Sequence, residues 1–348
     1  FEESIFQSIR PRNWFKIKWL LYNFQASYDF TENTSFSINT FILNASRYAV
    51  GYRPRRVDNP DLFNDATQSY NVRDLIKSDF NNFSIETKLI HEDKILFEKE
   101  IFLFGFKFYS GESLTEQGPG STGLDPNFEF QYFKNPGYPN QSNYSNPNLN
   151  FALFNENIFY LTNKISLVPG FRFEYIKTSS NGFYRVINLD NALNIIDNRK
   201  VLSNDERERK FLLYGLGLSY NLFDWSEFYS NYSRNYRAVT FADINITSPN
   251  FVINPNIKDE NGFTLDAGFR GNYRKVLFYD LSVYYLFYND RIGFVPKSFD
   301  VDNSFVPVVK NEKGNIGDAK IFGQEILINL NISNIFKRMN DFKVNYFI

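Results

Sequence analysis

The sequence contains no cysteine, and its 348 residues include one histidine and one methionine. Without cysteine there are no disulfides, no thiolate metal sites and no thiol nucleophile. The lone histidine, His91, leaves histidine clusters and most acid–base triads out of reach. It sits at the end of an alternating run and reads as a solvated turn residue. No apolar stretch approaches the roughly 20 residues that a membrane helix needs, and the mean hydropathy is -0.39. Charge of one sign is lacking too: the net charge of -1 offers no bulk attraction to nucleic acid, so no nucleic-acid partner is expected. No cofactor is implied, and an enzymatic role is not expected. The chain opens on Phe1 and stops within what reads as a strand, Lys343-Val-Asn-Tyr-Phe-Ile348. The expectation is a piece of a longer protein, so the missing signal peptide says nothing about export.

What the chain has is aromatics, Phe 40 and Tyr 23, set in strict alternation. In Leu277–Asp290, Leu277, Tyr279, Leu281, Val283, Tyr285 and Phe287 fall on one side, with Asp280, Ser282, Tyr284, Tyr288 and Asp290 opposite. A period of two with unlike faces marks a strand between unlike media. The pattern repeats at Ile165–Tyr175, Leu212–Leu222, Phe263–Arg270 and Phe102–Phe108, although Ile101 and Leu103 blur the polar face of the last. Charges obey the alternation: Arg172, Glu174, Asp266, Arg270 and Asp280 all take the polar parity. On a lipid-facing position near mid-membrane each would cost roughly 2–4 kcal/mol. Only in the strand near 226–236 does parity fail to sort the rings, Phe228 and Tyr232 against Tyr229.

About twelve strands follow, at 14–29, 34–46, 78–92, 97–110, 150–161, 165–178, 209–222, 226–236, 261–273, 277–291, 315–331 and 341–348. Each is near or above the 9–11 residues that cross a membrane when tilted. Short turns near Thr31, Glu92, Thr162, Phe223 and Arg274 alternate with long connectors at Arg47–Lys77, Gly111–Asn148, Ser179–Glu208, Arg237–Glu260 and Ile292–Gly314. A secreted β-sandwich or propeller has no reason to place every long connector at one end. An outer-membrane barrel does, with short periplasmic turns and long extracellular loops. The expected fold is all-β, part of a transmembrane antiparallel β-barrel, with 1–348 as one barrel segment and no internal domain boundary.

From Glu227 on, the text resembles the C-terminal barrel half of TonB-dependent outer-membrane transporters. Tyr229-Ser-Asn-Tyr-Ser-Arg-Asn-Tyr-Arg, Asn254-Pro-Asn-Ile-Lys-Asp-Glu-Asn-Gly-Phe, Asp266-Ala-Gly-Phe-Arg-Gly, Tyr279-Asp-Leu-Ser-Val-Tyr and Asn315-Ile-Gly-Asp-Ala-Lys-Ile-Phe-Gly-Gln-Glu occur in the family's order. Upstream, Ala45-Ser-Arg-Tyr-Ala-Val-Gly-Tyr-Arg, the Gln117-Gly-Pro-Gly loop and Asn150-Phe-Ala-Leu-Phe-Asn-Glu-Asn-Ile-Phe resemble its ferric-dicitrate branch. The resemblance implies a 22-strand barrel, about twelve of whose strands are present here. It also implies an N-terminal plug that contacts TonB, with the plug and both barrel ends outside this segment. Import of a ferric siderophore or ferric citrate, driven by the TonB system, is the implied function. A plugless porin, or an importer of cobalamin or an oligosaccharide, remains open.

Candidate ligand residues are Arg53, Arg55 and Arg56, close together in an extracellular connector. Guanidinium groups match the carboxylates of an anionic chelate bidentately, with Asp58 and Asp61 at hand to offset them. A solvated basic loop, or one touching lipopolysaccharide phosphates, explains the same residues. Arg172 and Arg270, with Glu174, either line the vestibule or form a charge ladder between strands. Arg237, beside Tyr236 at the rim, is equally undecided.

Overall fold

The computed structural model describes residues 10–53, 61–189, 195–240, 243, 251–299, 308–331 and 345–347. Its frame is a run of long strands: β1 (Trp14–Thr31), β2 (Thr34–Gly51), β5 (Asp74–Asp93), β6 (Lys99–Pro119), β7 (Ser142–Tyr160), β8 (Ile165–Leu189), β9 (Ile195–Phe223), β10 (Ser226–Arg237), β12 (Glu260–Tyr273), β13 (Leu277–Phe299) and β14 (Val308–Asn331). Short strands occupy the connectors: β3 (Phe63–Asn64), β4 (Ser69–Tyr70), β11 (Phe251–Ile253) and, after β14, β15 (Asn345–Phe347). The long strands pair antiparallel with their sequence neighbours in one open sheet, bounded by β1 on one side and by β14 with β15 on the other. The antiparallel expectation fails at one place. β11 lies parallel to Asn311–Lys313 on the outer edge of β14. β3 and β4 form a separate small hairpin.

The register sorts the side chains as the alternation requires. Leu216, Tyr232, Leu265, Tyr285 and Phe322 share one row across five strands. One residue along, Gly217, Asn231, Asp266, Tyr284 and Gly323 form the adjacent row on the opposite face. The other half repeats this, with Phe24, Thr40, Ile85, Phe108, Phe151 and Tyr175 on the apolar face and Gln25, Asn39, Glu86, Lys107, Ala152 and Glu174 on the polar one. Many apolar-face side chains are exposed in the isolated chain, among them Phe171, Leu216, Leu265 and Phe322. This is the outward face of a barrel wall, where lipid takes the place of a core. Tyr229, unsorted by parity alone, belongs to the polar face. Its ring covers Gly268, where an added Cβ would meet it at 2.6 Å, and its hydroxyl donates to Asp280 at 2.8 Å. Phe154 crosses Gly105 in the same way, 2.0 Å from the position of a Cβ. Glycine is required where a ring lies this close to the strand backbone.

Strand ends agree with the sequence reading at the short turns and exceed it at the long connectors. The β12–β13 turn spans Arg274–Val276, and its first two residues, Arg274 and Lys275, take positive φ (52° and 57°), as tight hairpin turns that match strand twist require. At the other end, Ser179–Leu189 and Ile195–Glu208 are strand, not loop. They form the upper arms of the β8–β9 hairpin, paired from Ile165–Tyr220 to Leu189–Ile195. Those strands have 25 and 29 residues, about 80 and 95 Å at ~3.3 Å per residue. Above the membrane both faces meet water, so the apolar alternation that defines a spanning segment ends before the strand does. The expected strand 341–348 is described only at Asn345–Phe347, three residues paired with Asn329–Asn331.

Candidate functional site

The extracellular end carries three knots of charge. The first starts from Arg53, just past β2. Its Nε lies 3.4 Å from Asp74 Oδ2, with the Arg53 side chain 57% exposed and Asp74 2%. Asp74 also accepts from the Tyr138 hydroxyl and from Asn140 Nδ2 at 3.2 Å. Burial pushes the Asp74 carboxyl up, against the pull of Tyr138, Arg53 and Asn140. Burial and the adjacent Asp74 charge push the Tyr138 hydroxyl up too. Arg53 thus meets its partner at one long contact, with more than half of its side chain exposed. Arg55 and Arg56 lie outside the described residues, as does Asp58. Asp61 is engaged by Arg12 at 2.6 Å, with both side chains buried.

That pair opens the second knot, which sequence reasoning missed. Arg12 also donates to the carbonyls of Thr122 and Asn71, at 3.1 and 3.2 Å. Arg73 donates to the Arg12 carbonyl at 2.8 Å, to the Ser121 hydroxyl and to the Asp125 carbonyl. Burial and the neighbouring Arg12 charge pull the Arg73 pKa down. Two connectors and the segment before β1 are tied together here. Nothing in the sequence singles these arginines out, because their partners are 48 to 111 residues away.

The third knot surrounds Arg237 at the top of β10. It donates to Glu260 at 2.9 Å and to Asp243 at 3.0 Å. Asp243 further accepts from Lys313 Nζ at 2.8 Å and from the Thr240 backbone and hydroxyl. Burial works against the Asp243 charge, but Lys313 and Thr240 outweigh it and hold the carboxyl at about 2. A bulge in β13 at Asp290 (φ 56°) brings Arg291 to 3.7 Å from Glu260. Next to it Arg209, almost fully buried, holds Asp259 at 2.9 Å and the Val239 carbonyl at 3.0 Å. The Tyr236 ring stacks on Phe211 with centroids 3.7 Å apart, its hydroxyl on Asp259. The connector after β10 is therefore pinned to β9, β12 and β14.

The remaining candidates lie deeper. Arg172 contacts Glu174 along β8 and lies 5.1 Å from the Phe154 ring centroid. Glu174 also accepts from Asn150 at 2.6 Å. Arg270, three residues before the end of β12 and so beside the short turn, is held by Glu227 at 2.7 Å. Among the described residues, the structure therefore does not gather Arg53, Arg172, Arg237 and Arg270 into one site. Arg53 and Arg237 sit in separate knots at the rim, and Arg172 and Arg270 belong to ladders on the polar wall.

Comparison with known proteins decides what this wall belongs to. The profile of the family described as TonB dependent receptor-like, beta-barrel, matches residues 6–346. The chain belongs to that family. It is a TonB-dependent receptor barrel, of a family of receptors and transporters and not of enzymes. Among solved structures, it resembles the ferric yersiniabactin uptake receptor FyuA from Yersinia pestis, at 12% identity and a TM-score of 0.63, over 92% of this chain and 41% of that one. The unliganded ferric citrate transporter FecA aligns at 14% identity and 0.64, over 97% and 42%. The copper transporter OprC aligns at 15% and 0.62, over 91% and 44%. This receptor segment thus spans less than half the length of those structures, and at such identities the likeness is one of fold. Comparison with curated proteins finds no match in sequence.

Proposed function

We propose that this chain is the wall of an outer-membrane importer that captures a ferric chelate, ferric dicitrate or another siderophore, and moves it inward with energy from the TonB system. The family match over 6–346 carries the reading, and an outward apolar face supports an outer-membrane location. TonB would act through an N-terminal plug encoded elsewhere in the intact protein, with 1–348 a barrel segment throughout. Arg53 supports an anionic cargo: it is exposed, weakly engaged, and leads directly into Arg55 and Arg56. Arg172 and Arg270 fit wall ladders better, and Arg237 its rim knot, since each is already held by a carboxylate. A bare soft metal ion fits this segment poorly, because the sequence offers it one histidine, one methionine and no cysteine.

The test is ferric-citrate binding and iron uptake by the intact receptor. Replacing Arg53, Arg55 and Arg56 with Gln should weaken binding at least about tenfold, the loss of one charge-assisted hydrogen bond of roughly 1.5–3 kcal/mol, and more at low salt. Removing the TonB system should abolish uptake and leave binding. Unchanged affinity at normal surface expression returns the cluster to a solvated loop. Uptake that survives without TonB refutes energy coupling and favours a porin.

A further inference from the structure

At the top of the wall a buried carboxylate shares its charge with a mostly exposed guanidinium. Asp74 opens β5 with the parity of Glu86, which places it on the lumen face of the sheet. β5 has 20 residues, about 63 Å of strand, and at ~45° tilt it rises about 44 Å. That is well above a ~25 Å apolar band, so Asp74 stands in the extracellular vestibule.

Three groups face its carboxylate. Tyr138 and Asn140, from the connector before β7, donate to it through the hydroxyl and through Nδ2, the latter at 3.2 Å. Arg53, past the end of β2, approaches to 3.4 Å. The strand partners Gly51 and Pro119 bring no charge, and the adjacent Arg73 is turned to the Ser121 hydroxyl and the Asp125 carbonyl. Among the described residues, Arg53 is therefore the cation that balances Asp74. The pocket that holds the pair has a volume of about 320 Å³, and much of its lining is apolar, including Phe15, Ala49, Val50 and Ile76. Such a lining solvates a lone carboxylate poorly. Burial already pushes the Asp74 carboxyl up, against Tyr138, Arg53 and Asn140.

We propose that Asp74 is a positioning residue for cargo capture: it holds Arg53 at the vestibule wall, yields it to a carboxylate of the anionic chelate, and takes one proton from solvent in exchange. The difference in exposure carries the argument. Arg53 is mostly in water and makes one long contact, so its guanidinium can turn to meet a cargo carboxylate with two parallel hydrogen bonds. Asp74 cannot follow, because Tyr138 and Asn140 hold it in place. Without its counter-ion, and with the cargo's negative charge brought near, it neutralises by protonation. An O–H bond forms on the carboxyl, the buffer acid loses one, and no other bond changes. Because a proton is taken up, affinity rises as pH falls from the bound-state pKa of Asp74 to its free-state pKa, and this contribution is flat outside that window. Each unit that the cargo adds to that pKa corresponds to about tenfold in affinity across the window. The inference rests on the cargo reading above.

The test is calorimetry of ferric citrate binding to the intact receptor, in buffers of different ionisation enthalpy, from mildly acidic to neutral pH. Wild type should take up more of a proton per chelate than Asp74→Asn, which keeps an acceptor for Tyr138 and Asn140 but cannot titrate. Protons exchanged by the chelate itself are common to both and cancel in the difference. The affinity of wild type relative to Asp74→Asn should rise toward acid pH. Tyr138→Phe, which removes a donor to the charged carboxyl, should move that rise to higher pH. Heat-modifiability on gels establishes that each variant is a folded barrel. Equal proton uptake by wild type and Asp74→Asn, or a pH profile that Tyr138→Phe leaves in place, overturns the exchange. If Arg53→Gln still weakens binding in that case, the cargo reading stands without it. Ferric citrate binding that Arg53→Gln leaves unchanged overturns the Arg53 contact and the exchange together.

Discussion

Val283 and Ser282 are adjacent in β13 and define the sharpest test of the wall. Val283 is on the apolar face, 46% exposed in the isolated chain, aligned with Ala267 and Gln324. It stands six residues above Leu277, about 20 Å along the strand and about 14 Å deep at ~45° tilt. That is near the middle of a ~25 Å apolar band, where an arginine costs roughly 2–4 kcal/mol. The substitution Val283→Arg should therefore lower the folding equilibrium by a factor of roughly 30 to 900. Ser282→Arg, one residue away, faces the other side between Gly268 and Glu325. There the guanidinium meets water and a facing carboxylate, and the expected change is within about 0.5 kcal/mol. Denaturant titration of the intact receptor refolded into vesicles measures both. Equal losses, or a larger loss for Ser282→Arg, would refute the assignment of faces on which every site statement here depends.

Other consequences follow from the rim and the edges. Asp243→Asn should free the connector after β10 and raise hydrogen exchange over residues 238–260, because Arg237 and Lys313 both lose their shared partner. In the wild type that knot should weaken as pH falls below the ordinary carboxylate value of 3.8 toward about 2. The folded pKa is depressed, so its stabilisation is present above the unfolded pKa and lost on acidification. Asp74 has the opposite sign: its carboxyl is pushed up, so the ionised form costs stability as pH rises through the folded pKa. Arg53→Gln should push the carboxyl further up, readable by NMR titration, and an unchanged titration would mean the 3.4 Å contact carries nothing. Gly105→Leu should displace the Phe154 ring from the wall and lower stability by about 1–3 kcal/mol, the usual range for overpacking. The 348-residue chain expressed alone should not persist as a monomer in lipid. Among the described residues nothing pairs with the outer edge of β1, and each exposed backbone group at membrane depth costs several kcal/mol. A heat-modifiable monomer in detergent would contradict this.

Much of the wall was legible because one physical rule acts on every second residue. Lipid on one side and water on the other force a period of two. The short turns that close each hairpin hold few enough residues to be located almost to the position. Hence the turns at Arg274-Lys275 and Phe223–Ser226, and the inward parity of Arg172, Glu174, Asp266, Arg270 and Asp280, follow from sequence. Where that rule stops acting, only the tertiary structure decided. Above the membrane both faces are wet, so nothing in the alternation shows that β8 and β9 continue to Leu189 and from Ile195, or that β11 adds to β14. The rim knots depend on partners far apart in the chain: Arg12 with Asp61, Arg209 with Asp259, Arg237 with Asp243 and Glu260. A charge in a connector carries no local record of which distant strand will face it.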